Sequence, residues 1–190
     1  MEIIRKHILC IVLLLLASMA VEAQVPGTPF FWKRKALAPD LAPEFIFGNS
    51  SFPPYGPTGM GVRIRNVGQA LTSGTVSFKL AIAPPQLLDL AFDPNATSVN
   101  IKPAAGPVVN FAVENTNWTI TADIIHGIFV FTSKPGVVIP VGGSATIGLN
   151  INWNLGNFGD PVDIYFSVDH AVNETNFSNN IDYLPLNFGP

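Results

Sequence analysis

Cysteine is almost missing from this chain: its one copy, Cys10, sits inside an apolar run near the N-terminus. Without a second cysteine there is no intrachain disulfide, so the fold has to rest on a packed core. Charge is scarce as well. Asp, Glu, Lys and Arg make up 12% of the 190 residues, and the net charge is −3. A nucleic-acid binder normally carries a strong basic excess, and this chain has none. Polarity is carried instead by Asn, Ser and Thr, a surface chemistry common on extracellular β proteins. Long helical patterns are absent too. The 16 glycines and 17 prolines punctuate the chain densely, which favours short strands joined by turns.

The N-terminus has its own pattern. Arg5 and Lys6 precede the apolar run 8–17, and Val21-Glu22-Ala23 supplies a small-x-small cleavage pattern before Gln24. Residues 1–23 therefore read as a secretory signal peptide, the run being too short for a membrane span. Cys10 lies within the run and not at its end, so lipid attachment is not expected. Cleavage removes Arg5, Lys6, Glu2 and Glu22, which leaves the balance at −3. The mature chain of about 167 residues is enough for one sizeable domain. No membrane span is expected after cleavage. Residues 24–39 show neither strand nor helix period and read as an arm. Within it Phe30, Phe31 and Trp32 precede Lys33, Arg34 and Lys35. The cluster is either a small patch for an anionic surface or an arm folded on the domain with its basic residues solvated; the second is preferred.

From residue 40 onward the period is two. Residues 40–47 open the domain with Leu41, Phe45 and Phe47 as core candidates, and Pro43 suits an edge strand. In 60–66, Val62 and Ile64 point inward while Arg63 and Arg65 point outward; Gly68 follows in a turn where positive φ costs it nothing. Val76, Phe78, Leu80 and Ile82 continue the alternation. Residues 83–106 read as an insertion, with Leu87, Leu88, Leu90 and Phe92 in a short helical turn or capping segment. Trp118, Ile120 and Ala122 share one face of a strand, and His126-Gly127 marks a hairpin turn. The run 128–131 is apolar throughout and reads as buried on both faces, or as a covered edge. Ile147, Leu149, Ile151 and Trp153 face one way along 144–153. Finally, 161–186 reads as strand, Asn-rich turn and strand, with Val162, Ile164, Phe166 and Val168 inward and Asp163, Tyr165, Ser167 and Asp169 outward.

Such alternation, with turn signals about every ten residues, predicts an all-β chain: an antiparallel β-sandwich of about 8–9 strands in one domain over 40–190. The run VDHAVNETNFSNNIDYL resembles the closing strand pair of the bacterial cell-adhesion-related domain, CARDB. Asp169, Asn173, Glu174, Asn176, Asn179 and Asn180 occupy the places of its acidic strand and Asn-rich run. Residues 60–68 and the Gly-Gly-Ser turn at 142–144 match further parts of that pattern, so the resemblance covers about 40–186. The segment 83–136 departs from it and is more similar to DUF11-like bacterial surface repeats, which leaves the strand order there open. The resemblance implies an immunoglobulin-like fold, a bacterial source and export, mostly without catalytic activity.

Chemistry is sparse. A His170, Ser167 and Asp169 set can be assembled on paper, but Ser167 and Asp169 alternate along a strand and no nucleophile elbow supports them. No enzyme is expected, and no cofactor. Asp160, Asp163 and Asp169 are weak calcium candidates near loops, without a D-x-D-x-D-G loop, so no metal is expected. Sequons begin at Asn49, Asn95, Asn117, Asn173 and Asn176; in a bacterial protein they stay unmodified. The remaining binding candidates are Tyr165, Asp163, Asn173, Glu174 and Asn176. Trp118, Trp153, Tyr165 and Tyr183 are the aromatic candidates for a sugar platform; Trp118 and Trp153 fall on inward faces, so core packing is the expectation for them.

The functional expectation is a secreted, non-catalytic adhesion, binding or scaffold module, extracellular, surface-bound or periplasmic. Its partner is an unspecified surface protein or glycan, its oligomeric state is open, and its contacts come from the loops 49–57, 87–106 and 173–180. The alternatives are a carbohydrate-binding accessory protein, marked by an aromatic strip exposed on one sheet face, and a structural subunit assembling through sheet edges.

Overall fold

Alternating burial runs through almost every strand of the computed structural model. The model describes residues 37–46, 51–52, 58–102, 107–153 and 161–188, with 51–52, 153 and 187–188 described as backbone only. Residues 1–23, read above as a signal peptide, nearly all of the expected arm with its cluster at 30–35, Phe47, most of the loop 49–57, Asp160 and the Trp153 side chain lie outside that description. Twelve strands follow in order. They are β1 (Leu41–Ile46), β2 (Ser51–Phe52), β3 (Thr58–Asn66), β4 (Ser77–Ala83), β5 (Leu88–Ala91) and β6 (Ser98–Ile101). Then come β7 (Val109–Ala112), β8 (Trp118–Asp123), β9 (Ile128–Ser133), β10 (Ser144–Trp153), β11 (Val162–Val168) and β12 (Ile181–Phe188). Two single 3₁₀ turns, Pro85–Leu87 and Asn115–Asn117, are the only helical pieces among the described residues.

The front sheet has the order β1-β3-β10-β5 and the back sheet β2-β12-β11-β4-β9-β8. All neighbours pair antiparallel except the two-residue β2, which runs parallel to β12. Lettering β1, β3, β4, β5, β10, β11 and β12 as A to G gives A-B-E-D facing G-F-C, the strand order of an immunoglobulin constant-type sandwich. The strands in excess of the expected eight or nine come mainly from the stretch between D and E. There the hairpin β8–β9 extends the back sheet beyond C, and β6–β7 forms a small sheet of its own.

The inner faces of the two sheets supply one core. Met60, Val62 and Ile64 from β3 and Ile147, Leu149 and Ile151 from β10 meet Phe78, Leu80, Ile164 and Phe166 from the back sheet, all at 0–1% exposure. Aromatic rings fill its centre. Phe78 stacks on Phe131 at 4.6 Å, meets the Trp118 ring edge-on at 5.3 Å and lies 5.1 Å from Phe166. Burying side chains of this size contributes about 1.5–3 kcal/mol each before entropy is counted, so no covalent staple is required. The run 128–131 is neither doubly buried nor an edge. β9 lies between β4 and β8, and its residues alternate between half-buried and buried. One face of β9 meets the core while the other meets solvent, and its β-branched and aromatic residues suit both.

Segment 87–106, expected as a display loop, contains β5 and β6. β6 and β7 lie across the outside of the front sheet and form a third layer with a second small core of Val99, Ile101 and Val113. Glycines on the outward face of β3 and β10 make that approach possible. A Cβ on Gly59 would sit 2.1 Å from the Asn100 carbonyl oxygen, and one on Gly148 would sit 2.9 Å from Val99 and Val113 side-chain carbons. Buried Asn115 clamps the layer down. Its Nδ2 donates to the Asp93 and Gly148 carbonyls and its Oδ1 accepts from the Gly148 N–H, each at 2.8 Å.

Gly68 also differs from expectation. It does not adopt positive φ; an added Cβ would lie 2.4–2.6 Å from the backbone of residues 38–40, so close chain approach requires glycine there. Asn66 organises this end of the sandwich. Its Nδ2 donates to the Ala70 and Ile139 carbonyls at 2.8 and 3.1 Å, and its Oδ1 accepts from the Gly68 and Asp40 N–H groups.

Candidate binding face

β11, β12 and the loop between them carry the sequence candidates, and on the strands a period of two sorts them by face. Val162, Ile164, Phe166 and Val168 fill the core, so Asp163, Tyr165 and Ser167 must face outward. On β12 the same rule sends Leu184 and Leu186 inward and Ile181, Tyr183 and Pro185 outward. Register then decides which residues meet. Tyr165 lies directly opposite Tyr183, Asp163 opposite Pro185 and Ser167 opposite Ile181. Among the described residues nothing covers this outer side of the back sheet.

The two tyrosine rings are 5.1 Å apart, tilted by 40°, and 44% and 47% exposed, which leaves ring surface open to solvent. The Tyr183 hydroxyl donates to Asp163 Oδ1 at 2.7 Å. This bond fixes where the hydroxyl sits, since χ1 rotation would carry it away from Asp163. It also makes tyrosinate unfavourable beside a carboxylate, and the Tyr183 pKa is pushed up to about 12. The resulting patch offers two apolar ring faces, a carboxylate oriented by its hydroxyl partner, and flanking apolar surface from Ile181, which is 68% exposed. Further across the sheet, in register, lie Ala81 and Lys79 on β4. Such a surface suits ligands with flat apolar patches and hydroxyl donors. Of the four aromatic candidates, register across the hairpin brings Tyr165 and Tyr183 together on one exposed face.

The Asn-rich loop behaves differently. Glu174 is 6% exposed, and its two oxygens accept from the Leu41 and Ala171 N–H groups, each at 2.7 Å. Asn180 is buried in the same knot, with its amide nitrogen 3.3 Å from the Leu41 carbonyl in the orientation that satisfies both ends of the group. Asn176 and Asn179 donate to the Asp40 carboxylate at 3.1 and 2.8 Å. Asn173 holds the turn itself at φ +68°, a conformation that asparagine tolerates. The loop thus ties the start of β1 to the final hairpin, and Glu174 faces the fold and not solvent.

The remaining candidates do not converge. Asp169 accepts from the Ser77 hydroxyl, and His170 stacks on Phe177 at 3.8 Å. Asp163 on β11 and Asp169 just past its end lie six residues apart, roughly 20 Å at strand rise. Among the described residues no three His, Cys, Asp or Glu side chains gather as a metal site. His126 pairs with Asp123 at 2.8 Å in the β8–β9 turn, and that hydrogen bond lowers the Asp123 pKa. Trp118 is fully buried against Phe78. Two open grooves lie elsewhere: one of about 200 Å³ between β6 and β10 near Asn100 and Asn150, the other of about 710 Å³ between Glu114 and Lys134. Burial raises the Glu114 pKa.

Neither a family model nor a curated protein matches the chain. Among solved structures it is similar to the CARDB domain of a Pyrococcus furiosus protein, crystallised with di-metal ions, at 14% identity and a TM-score of 0.45 over 85% of this chain and all of that one. It is also similar to a collagen-binding domain of a Staphylococcus aureus adhesin, at 11% identity and TM-score 0.39 over 77% of this chain and 96% of that one. A third structure is AvmM, which catalyses macrocyclization in alchivemycin A biosynthesis, at 12% identity and TM-score 0.39 over 79% and 90%. The immunoglobulin-type order stands on the strand pairings themselves.

Proposed function

We propose that this chain is a secreted, non-catalytic binding module that adheres to a glycan through the outer face of its back sheet. The observation that carries this reading is the exposed Tyr165–Tyr183 pair with Asp163 bonded to its edge. Sugar rings present C–H faces that pack on aromatic rings and hydroxyls that donate to carboxylates, and a rigid cross-strand pair offers both without ordering a loop. Adhesion to a surface protein is the neighbouring possibility, and the same face would serve it. Export is supported by the N-terminal pattern of Arg5, Lys6, an apolar run and Val21-Glu22-Ala23. No helix among the described residues is long and apolar enough to cross a membrane.

The test is a glycan array followed by calorimetry with the retained sugar. Tyr165→Ala and Tyr183→Ala are expected to weaken binding about tenfold each. Val172→Ala, at an exposed residue of the Asn-rich loop, should leave it unchanged. An array on which no sugar is retained, or sugar binding untouched by both tyrosine changes, would remove the glycan reading.

A further inference from the structure

A sheet edge exposes unpaired N–H and C=O groups, and proteins blunt edges with proline, charge, short strands or a cover. The two main sheets end at four edges, β1, β5, β2 and β8. β1 carries Pro43 and Glu44. β5 has four residues including Asp89 and follows directly on the Pro85–Leu87 turn. On the other side of the back sheet the two-residue β2 covers 187–188 of β12, and the rest of β12 carries Asp182 and Pro185. β8 has none of these devices. It is a six-residue strand, WTITAD, without proline or lysine, its single charge is the final Asp123, and among the described residues it pairs only with β9.

We infer that β8 is the site at which a second copy of this chain adds to the back sheet. Residue chemistry chooses this occupant. Trp118, Ile120 and Ala122 face the core side while Thr119, Thr121 and Asp123 face outward, by the register with β9. Antiparallel pairing about a two-fold axis at Ile120 keeps those faces matched between copies. Thr119 then lies opposite the second copy's Thr121 and Trp118 opposite its Ala122, with the two Ile120 side chains side by side. Thr–Thr cross-strand pairs are favourable, and Asp123 meets the second copy's Asn117, so no like charges face each other. Ile120 is half-buried in the single chain and packs on the core, and the second strand completes its cover. Two back sheets join into one continuous sheet, and the Tyr165–Tyr183 faces of both copies lie on it. This pairing is independent of what those faces bind.

Sedimentation of the purified protein over about three decades of concentration tests it. The expected result is a monomer–dimer equilibrium. In Thr119→Lys/Thr121→Lys both cross-strand pairs set ammonium against ammonium, which is expected to raise the dimer Kd about tenfold or more. Near-UV circular dichroism and Tm show that this variant keeps its fold, since both side chains are exposed. Thr132→Lys, on the same outer face but on the interior strand β9, should leave the dimer intact. A wild-type protein that stays monomeric throughout overturns the inference. So does a dimer that survives the double substitution, or one that the Thr132 change weakens equally.

Discussion

Tyr183 shows how one hydrogen bond sets both a geometry and a titration. Because Asp163 accepts its proton, ionising Tyr183 places two negative charges side by side, and the pKa rises from 10.0 to about 12. The folded value lies above the unfolded one, so the contribution to stability is complete below the unfolded pKa and is lost as pH climbs through about 12. Asp163→Asn removes the carboxylate. Tyrosinate absorbance during alkaline titration should then show one residue moving back toward the ordinary value of about 10. An unchanged titration curve would mean that Asp163 does not hold the hydroxyl in solution.

At the scale of elements, the small hairpin β6–β7 depends on a floor without side chains. Gly148→Val inserts carbon where Val99 and Val113 already lie, and overpacking of this kind costs about 1–3 kcal/mol. Amide exchange in β6 and β7 is expected to accelerate more than in β11, since the hairpin must lift before the sandwich opens. Equal acceleration throughout would show that the hairpin is not a separate unit. This element also marks where the sequence stops being readable. β3, β4, β10 and β11 are legible because three or more apolar residues alternate in each, and nothing but a half-buried strand has that pattern. β6 contributes two buried residues and β7 none, and what orders them is contact with glycines far off in the chain. The stretch 128–131 was misleading for a related reason: its apolar outer residues suit a sheet surface as well as an interior. In the site, Tyr165 and Asp163 could be picked out by strand alternation. The inward turn of Glu174 could not, because its partner Leu41 lies 133 residues away.

At the scale of the whole molecule, that same carboxylate joins the two ends of the domain. Glu174→Gln keeps the volume but loses the charge and one of the two acceptors that serve the Leu41 and Ala171 N–H groups. A buried donor left unpaired costs about 1–3 kcal/mol, so the urea midpoint is expected to fall with the m-value unchanged. An unshifted midpoint would mean that the tie is replaced by water. The span of the tie also sets an order of events in biogenesis. Translation at about 5–20 residues per second needs on the order of ten seconds to cover the distance from Leu41 to Glu174. For that interval the first strand has its neighbour β3 but not its tie to the closing hairpin, and the sandwich cannot lock until its last loop leaves the ribosome. A protein built this way stays unlocked until it is nearly finished, in a state that a chaperone can still grip.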